Sequence, residues 1–183
     1  MKRMLFAVLC AALIASLTSC SAASEPSTTS RGQAAIDYTT LDTSWECDYL
    51  KIAVSSKWQG DDNLSNDLTF AHWYWGNDDV FHFVDFTLSH NSDYKQLSQK
   101  EVTERWSNFK EYALEDDTLK ADYEGDYVED TFVKSGQAYL IIANEKNDKK
   151  EIQFYANGLH GTFSYDNIDT DIVMSMIDSI VFY

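Results

Sequence analysis

The residue with the clearest chemical potential is Cys20, a thiol that follows an apolar segment near the N-terminus. Lys2 and Arg3 form a short basic region, residues 4–17 are almost all apolar, and small residues precede the cysteine. This order is typical of a secretory signal that is cleaved beside small residues. The apolar run is shorter than the roughly 20 residues that a spanning helix needs, so a retained membrane helix is the weaker interpretation.

Leu17-Thr18-Ser19-Cys20 resembles the lipobox of bacterial lipoproteins, in which the cysteine sulfur receives a diacylglycerol before the signal is removed. The resemblance implies that residues 1–19 are a lipoprotein signal peptide and that Cys20, carrying fatty acids such as palmitate, anchors the protein in the lipid bilayer. Two acyl chains give stable attachment, which one chain does not. The protein would lie on the extracytoplasmic face of the cell membrane, or on the outer membrane if the cell has one. The alternative is an ordinary secreted protein cleaved near Ala22 or Ala23.

Three short segments with nucleophilic or basic residues are similar to the motifs of penicillin-binding proteins. They are Ser92-Asp93-Tyr94-Lys95, Ser89-His90-Asn91 and Lys134-Ser135-Gly136. Their order along the chain differs from that family's order, and the chain is too short for that fold. A chance match is therefore favoured, and an envelope serine hydrolase or acyl enzyme stays as the alternative function.

Histidines and clustered acids are the residues that would hold a metal ion. His72 and His82 are predicted on opposite faces of a hairpin, so they cannot share a zinc ion. The acidic segments 122–126 and 166–171 bring oxygen atoms together, but neither has the glycine and glutamate positions of an EF-hand. Asp169 in the second segment is also expected as a helix cap. We predict no metal and no cofactor, with calcium in the acidic segments as the open alternative.

The chain of 183 residues is strongly acidic, with 14 basic and 30 acidic residues and a formal net charge of −16. Removal of residues 1–19 would take away Lys2 and Arg3 and no acid, which leaves a charge of −18. Such a surface repels the phosphates of nucleic acids and of anionic lipids, so we exclude nucleic acid as a partner. Cys47 is expected to be a small buried apolar group.

Two aromatic-rich runs, Leu68–Trp75 and Val80–Leu88, flank turn residues and predict a β-hairpin. We expect a register in which Trp73 pairs with His82. One face would then carry five aromatic side chains: Phe70, His72, Tyr74, Phe81 and Phe83. These residues are a candidate ligand-binding surface for a sugar or an apolar peptide. The alternative, which the apolar character of both faces favours, is that a helix covers them as part of the core.

The elements that would position these residues belong to one domain at residues 43–183, after a flexible spacer at residues 20–42. The spacer holds small and polar residues, which cannot bury enough apolar surface to fold. Alternating apolar residues predict a strand over residues 50–54, and residues 60–67 are expected to form an acidic loop. Residues 138–143 are apolar on both alternating sets, as in a central strand.

Further signals predict two helices and a second hairpin. Ser98 and Glu101 form a capping box before a helix with an apolar stripe. The stripe comprises Val102, Trp106, Phe109 and Ala113. Asn157-Gly158 predicts a tight turn that pairs Tyr155 with His160 and Phe154 with Gly161. Asp169 is expected to cap a helix near the C-terminus.

The order of elements and three segments resemble the Mog1/PsbP-like family. The segments are Val54-Ser55-Ser56-Lys57-Trp58, Gly136-Gln137-Ala138-Tyr139 and Ile177-Asp178-Ser179-Ile180-Val181-Phe182, although the family's usual proline before the tryptophan is absent. The resemblance implies an α+β fold with an antiparallel sheet sandwiched by helices; a cystatin-like or NTF2-like fold is the competitor. The family has no catalytic set to carry over. It therefore implies a non-enzymatic binding or scaffolding module for an envelope protein or a small ligand.

Overall fold

The computed structural model describes residues 36–64, 68–76 and 80–183. Among them it has ten antiparallel strands and three helices. The strands are β1 (Thr43–Glu46), β2 (Leu50–Val54), β3 (Gln59–Leu64), β4 (Leu68–Gly76), β5 (Phe81–His90), β6 (Asp126–Lys134), β7 (Gln137–Asn144), β8 (Lys150–Ala156), β9 (Leu159–Asp166) and β10 (Val181–Phe182). The helices are α1 (Gln99–Glu115), α2 (Lys120–Tyr123) and α3 (Thr170–Asp178). The predicted α+β class is confirmed.

The strands form two sheets, whereas the sequence predicted one. The large sheet has the strand order β3-β4-β5-β9-β8-β7-β6, and the small sheet has the order β1-β2-β10. Strand β2 lies where it was predicted, but it pairs with β1 and β10 and not with the large sheet. These two partners are only four and two residues long, too short to give an alternating pattern in the sequence.

One face of the large sheet, here called the core face, packs against the small sheet and α3. Its buried side chains form one apolar cluster with β2 and α3, including Ile52, Phe86, Phe163, Val173 and Met176. Burial of each such side chain contributes roughly 1.5–3 kcal/mol before the entropy cost of ordering it. This cluster is the main core of the described residues.

The opposite face, here called the outer face, is covered by α1 over strands β6 to β8. Val102 and Trp106 of α1 are buried against Leu140 and Ile142 of β7 and Tyr155 of β8. Strand β7 is therefore buried on both faces, which confirms the predicted central strand. Among the described helices, none is long and apolar enough to cross a bilayer.

Helix α1 begins as the sequence predicted. The backbone N–H of Ser98 donates to Glu101 Oε2 at 2.8 Å, and Ser98 Oγ accepts from the backbone N–H of Glu101. Three members of the predicted stripe are buried, but Phe109 is 41% exposed. Its ring lies edge-on to Tyr123 of α2, at 5.0 Å between ring centres, and not against the sheet. The capping of α3 by Asp169, which accepts from the backbone N–H of Asp171, is also confirmed.

The two predicted hairpins differ in how closely their registers match the structure. Strands β8 and β9 pair as predicted, with Tyr155 opposite His160 and Phe154 opposite Gly161. Strands β4 and β5 are shifted by two residues, because Trp73 pairs with Val84 and not with His82. A shift of two leaves each side chain on its predicted face, since strand side chains alternate with a period of two.

Residues 60–64, predicted as part of an acidic loop, form most of the edge strand β3. All six residues of β3 are exposed, and the strand pairs with β4 along its length. An edge strand that buries neither face needs no apolar alternation, so periodicity could not detect it. Gly60 fits here because a Cβ would lie 2.6 Å from the carbonyl oxygen of His72.

The packed part of the chain includes residues that the sequence assigned to the spacer. Tyr38 and Leu41 lie against the main cluster, and the Tyr38 ring stacks on Trp75. The indole N–H of Trp58 donates to the Tyr38 carbonyl oxygen at 2.9 Å. Residues 36–42 therefore contribute apolar contacts to the domain.

Candidate functional site

The five predicted aromatic residues form one continuous surface on the outer face of β4 and β5. We call this set, Phe70, His72, Tyr74, Phe81 and Phe83, the aromatic platform. The centre of the His72 ring lies 6.5 Å from that of Phe70, 5.2 Å from that of Tyr74 and 6.1 Å from that of Phe83. Phe81 joins Tyr74 to Phe83, at 5.4 and 6.5 Å. Alternate residues of two neighbouring strands thus bring all five rings into contact.

The platform is accessible to solvent. Phe81 is 49% exposed, and the other four side chains are partly exposed. The favoured sequence interpretation, in which a helix covers these rings, is wrong within the described residues. Helix α1 packs on β6 to β8, and α3 packs on the core face. Partly exposed, contiguous aromatic rings are the composition expected of a binding surface.

Polar groups border the rings on the β3 side. Antiparallel pairing places Gln59 beside Tyr74, Asp61 beside His72, and Asn63 beside Phe70. Directly paired residues share a face, so these amide and carboxylate groups lie next to the platform. On the β5 side, the His72 ring nitrogen Nδ1 contacts the carboxylate of Asp85, which orients the imidazole within the platform.

The segment that builds the platform is uniformly acidic. Residues 58–94 contain seven aspartates and no lysine, arginine or glutamate. Three carboxylates of the described residues lie beside the rings: Asp61 is paired with His72, Asp85 contacts His72, and Asp166 is paired with Phe83. A ligand that approaches this surface therefore meets negative charge together with the electron-rich faces of aromatic rings.

Comparison of the chain with models of protein families, with curated proteins and with solved structures found no match.

The lipidation prediction concerns Cys20, which lies outside the described residues. Cys47 is 8% exposed and packs in the main cluster, so its prediction as a small buried apolar group is confirmed.

The histidines do not converge on one point. His72 lies on the outer face, and His82 stacks on Trp75 on the core face, which confirms that they point to opposite sides. His90 stacks on Tyr49. No group of three or more potential metal ligands occurs within residues 36–64, 68–76 and 80–183.

His160 lies away from the edges of the large sheet. Its strand, β9, lies between β5 and β8 in the interior of the large sheet. The imidazole stacks on Tyr155, at 4.1 Å between ring centres. Burial, and secondarily the charge of Arg105, lowers the pKa of His160 to about 4, so it is neutral at pH 7.

The residues proposed for an acyl enzyme have other contacts. Lys134 Nζ lies 2.6 Å from Asp178 Oδ1. Ser92 and Lys95 are exposed in the connection before α1. Asn91 accepts from the backbone N–H of Asp93 in that same connection, as an ordinary turn residue does.

Proposed function

We propose that this protein is a membrane-anchored extracytoplasmic lipoprotein, attached through a diacylglycerol on Cys20, whose domain is a non-enzymatic binding module. The N-terminal signal pattern supports the anchor. The observation that carries the binding role is the aromatic platform, because five contiguous aromatic rings stay accessible to solvent on one face of the large sheet. The helices on both faces of the large sheet, α1 on the outer face and α3 on the core face, and the three family-like segments also support a Mog1/PsbP-like fold.

The ligand that fits the platform best is a cationic and partly apolar segment of another protein. Lysine and arginine side chains interact favourably with the faces of Tyr and Phe rings, and more so where water is excluded. Asp61 and Asp85 would add charge attraction at the edge of the rings. The acidic segment 58–94 disfavours anionic ligands such as nucleic acids or acidic lipids.

Binding can be measured with the unlipidated Cys20→Ala chain and two synthetic peptides by isothermal titration calorimetry. One peptide alternates lysine and leucine, and the other alternates glutamate and leucine. We expect saturable binding of the lysine peptide alone. Phe81→Ser should weaken it about tenfold, since Phe81 is the most exposed ring of the platform and loss of an aromatic contact is typically costly. The matched control is Tyr112→Ser, which removes another aromatic residue, 59% exposed, on α1.

Three outcomes would reject this ligand class. The first is equal affinity for both peptides, and the second is equal weakening by Phe81→Ser and Tyr112→Ser. The third is binding of a neutral oligosaccharide in place of the lysine peptide, which would assign the platform to sugars.

The anchor is tested separately in cells. Replacement of Cys20 by alanine should abolish incorporation of labelled palmitate and move the protein from the membrane fraction to the soluble fraction. A native protein that still begins with Met1 would contradict the proposed signal cleavage. The acyl-enzyme alternative gains no support from the contacts of Lys134, and we propose no second function.

A further inference from the structure

A groove beside the platform runs between α1 and the outer face of the large sheet. Its volume is about 560 Å³. Sites for small molecules typically have volumes of roughly 300–1,000 Å³. Helices α1 and α2 supply one wall, and alternate residues of β5, β8 and β9 form the floor. The groove is therefore of the right size for a small ligand.

The helical wall of the groove is aromatic. Phe109 and Tyr123 meet edge to face, and Trp106 lies beside them on α1. This position explains why Phe109 stays 41% exposed although it belongs to the apolar stripe of α1. An exposed aromatic residue in a concave surface offers a contact face to an apolar ring.

The opposite end of the groove is basic. The Arg105 guanidinium lies over the Tyr155 ring, 4.7 Å from its centre, and 5.8 Å from the centre of Tyr94. Within the described residues five lysines pair with carboxylates, whereas Arg105 forms no ion pair. The rings and a hydrogen bond to the Tyr155 side chain orient the guanidinium. Arginine has five N–H donors, so donors remain that can bind an acid group.

His160 adds a hydrogen-bonding atom beside Arg105. Its Nε2 is buried and has no hydrogen-bond partner among the described residues. Buried polar atoms are nearly always paired, so an unpaired one in the lining of a groove indicates a ligand contact. His160 is neutral at pH 7, so Arg105 is the only positive charge in the described lining of this groove. The one acid of that lining, Glu151, lies 3.3 Å from the Lys149 ammonium.

We propose that this groove binds a small aromatic anion, whose acid group is held by Arg105 beside His160 and whose ring lies against Phe109 and Tyr123. The groove shares no lining residue with the platform, although Thr87 of its lining pairs with Phe70. The complementary charge is local, because the rest of the protein is acidic and would repel an anion that approached elsewhere.

Two fluorescent probes with the same aromatic body test the proposal on the unlipidated Cys20→Ala chain. 8-Anilino-1-naphthalenesulfonate carries an acid group, and N-phenyl-1-naphthylamine does not. We expect the anion to bind more tightly. Arg105→Ala should lower the affinity for the anionic probe about tenfold or more, because that probe loses charged hydrogen bonds. The affinity for the neutral probe should stay unchanged. The affinity of Arg105→Lys for the anionic probe should lie between those of the wild type and of Arg105→Ala, because lysine keeps the charge and loses the planar guanidinium.

Control variants separate the groove from other surfaces. Lys100→Ala removes a cation from the exposed side of α1 and should leave both probes unchanged. Phe109→Ala should lower the affinity for both probes, because it removes part of the aromatic wall. Far-UV circular dichroism and the thermal midpoint check that each variant is folded.

The proposal is overturned if wild-type protein binds neither probe, if it binds both with equal affinity, or if Arg105→Ala and Lys100→Ala weaken the anion alike. If Phe81→Ser loses binding of the anionic probe and Arg105→Ala keeps it, the probe binds at the platform and not in the groove. Failure of the platform itself would appear in the peptide titration, so the two proposals fail separately.

Discussion

At the scale of single residues, His160, which lines the groove, should make the free energy of unfolding depend on pH. Its ordinary pKa of 6.5 falls to about 4 in the folded protein, chiefly through burial. The unfolded chain therefore takes up this proton first as the pH falls. The stabilisation is complete above about pH 6.5 and is lost as the pH drops toward 4.

We expect the wild-type protein to lose about 2–3 kcal/mol more unfolding free energy than His160→Phe between pH 7 and pH 4, since one pKa unit is worth about 1.4 kcal/mol. Phenylalanine keeps a ring against Tyr155 and cannot bind the proton. Urea unfolding of both proteins at each pH gives the difference. Parallel pH profiles of the two proteins would show that His160 does not couple to folding.

Gly161 is a residue whose role comes from a missing side chain. It pairs with Phe154 on β8, and a Cβ at this position would lie 2.2 Å from the Phe154 ring. We expect Gly161→Ala to reduce the unfolding free energy by about 1–3 kcal/mol, because the buried ring must move. Ser164→Ala, on the same strand but on the outer face, is the control and should have little effect. Equal losses would mean that the ring repacks without cost.

At the scale of elements, the cap of α1 is the local signal that the rest of the helix depends on. Ser98→Ala removes the side chain that accepts from the Glu101 N–H. We expect a loss of about 1 kcal/mol in unfolding free energy. Ser107→Ala, at an exposed position inside the helix, should be neutral or slightly stabilising because alanine favours helix. If both variants behave alike, the cap does not stabilise α1.

Elements whose structure is determined by nearby residues in the sequence could be predicted. Elements whose structure depends on tertiary contacts could not. The Asn157-Gly158 turn determines the register of β8 and β9, because a two-residue loop allows few alternatives. The acidic turn between β4 and β5 has no such constraint, so its register was missed by two residues. The edge strand β3 and the two short strands of the small sheet have no periodic signal.

The same distinction applies to the two candidate sites. The five platform residues could be predicted to share a face, because alternation alone decides that. Their exposure could not, since it depends on where α1 packs. The groove was missed because it combines Arg105 and Phe109 from a helix with Tyr155 and His160 from two strands. The partial signal was Phe109, a large apolar residue near the end of the stripe.

At the scale of the whole molecule, the net charge of −16 opposes folding through repulsion. Five lysine–carboxylate pairs occur in the described residues, and all have partly exposed side chains. Exposed pairs of this kind each contribute roughly 0–1 kcal/mol. The excess of acids is larger than these pairs can offset, so repulsion should dominate the long-range electrostatics.

We therefore expect salt to stabilise the folded protein. Raising NaCl from about 0.02 M to about 0.5 M shortens the Debye length from roughly 20 Å to about 4 Å, which screens distant acids more than pairs in contact. The thermal midpoint of the unlipidated chain should rise. Asp117→Asn removes an exposed acid that has no described ion pair, so it should raise the midpoint at low salt and lose that advantage at high salt. A midpoint that falls with salt would show that the ion pairs outweigh the repulsion, because screening would then remove the larger, attractive contribution.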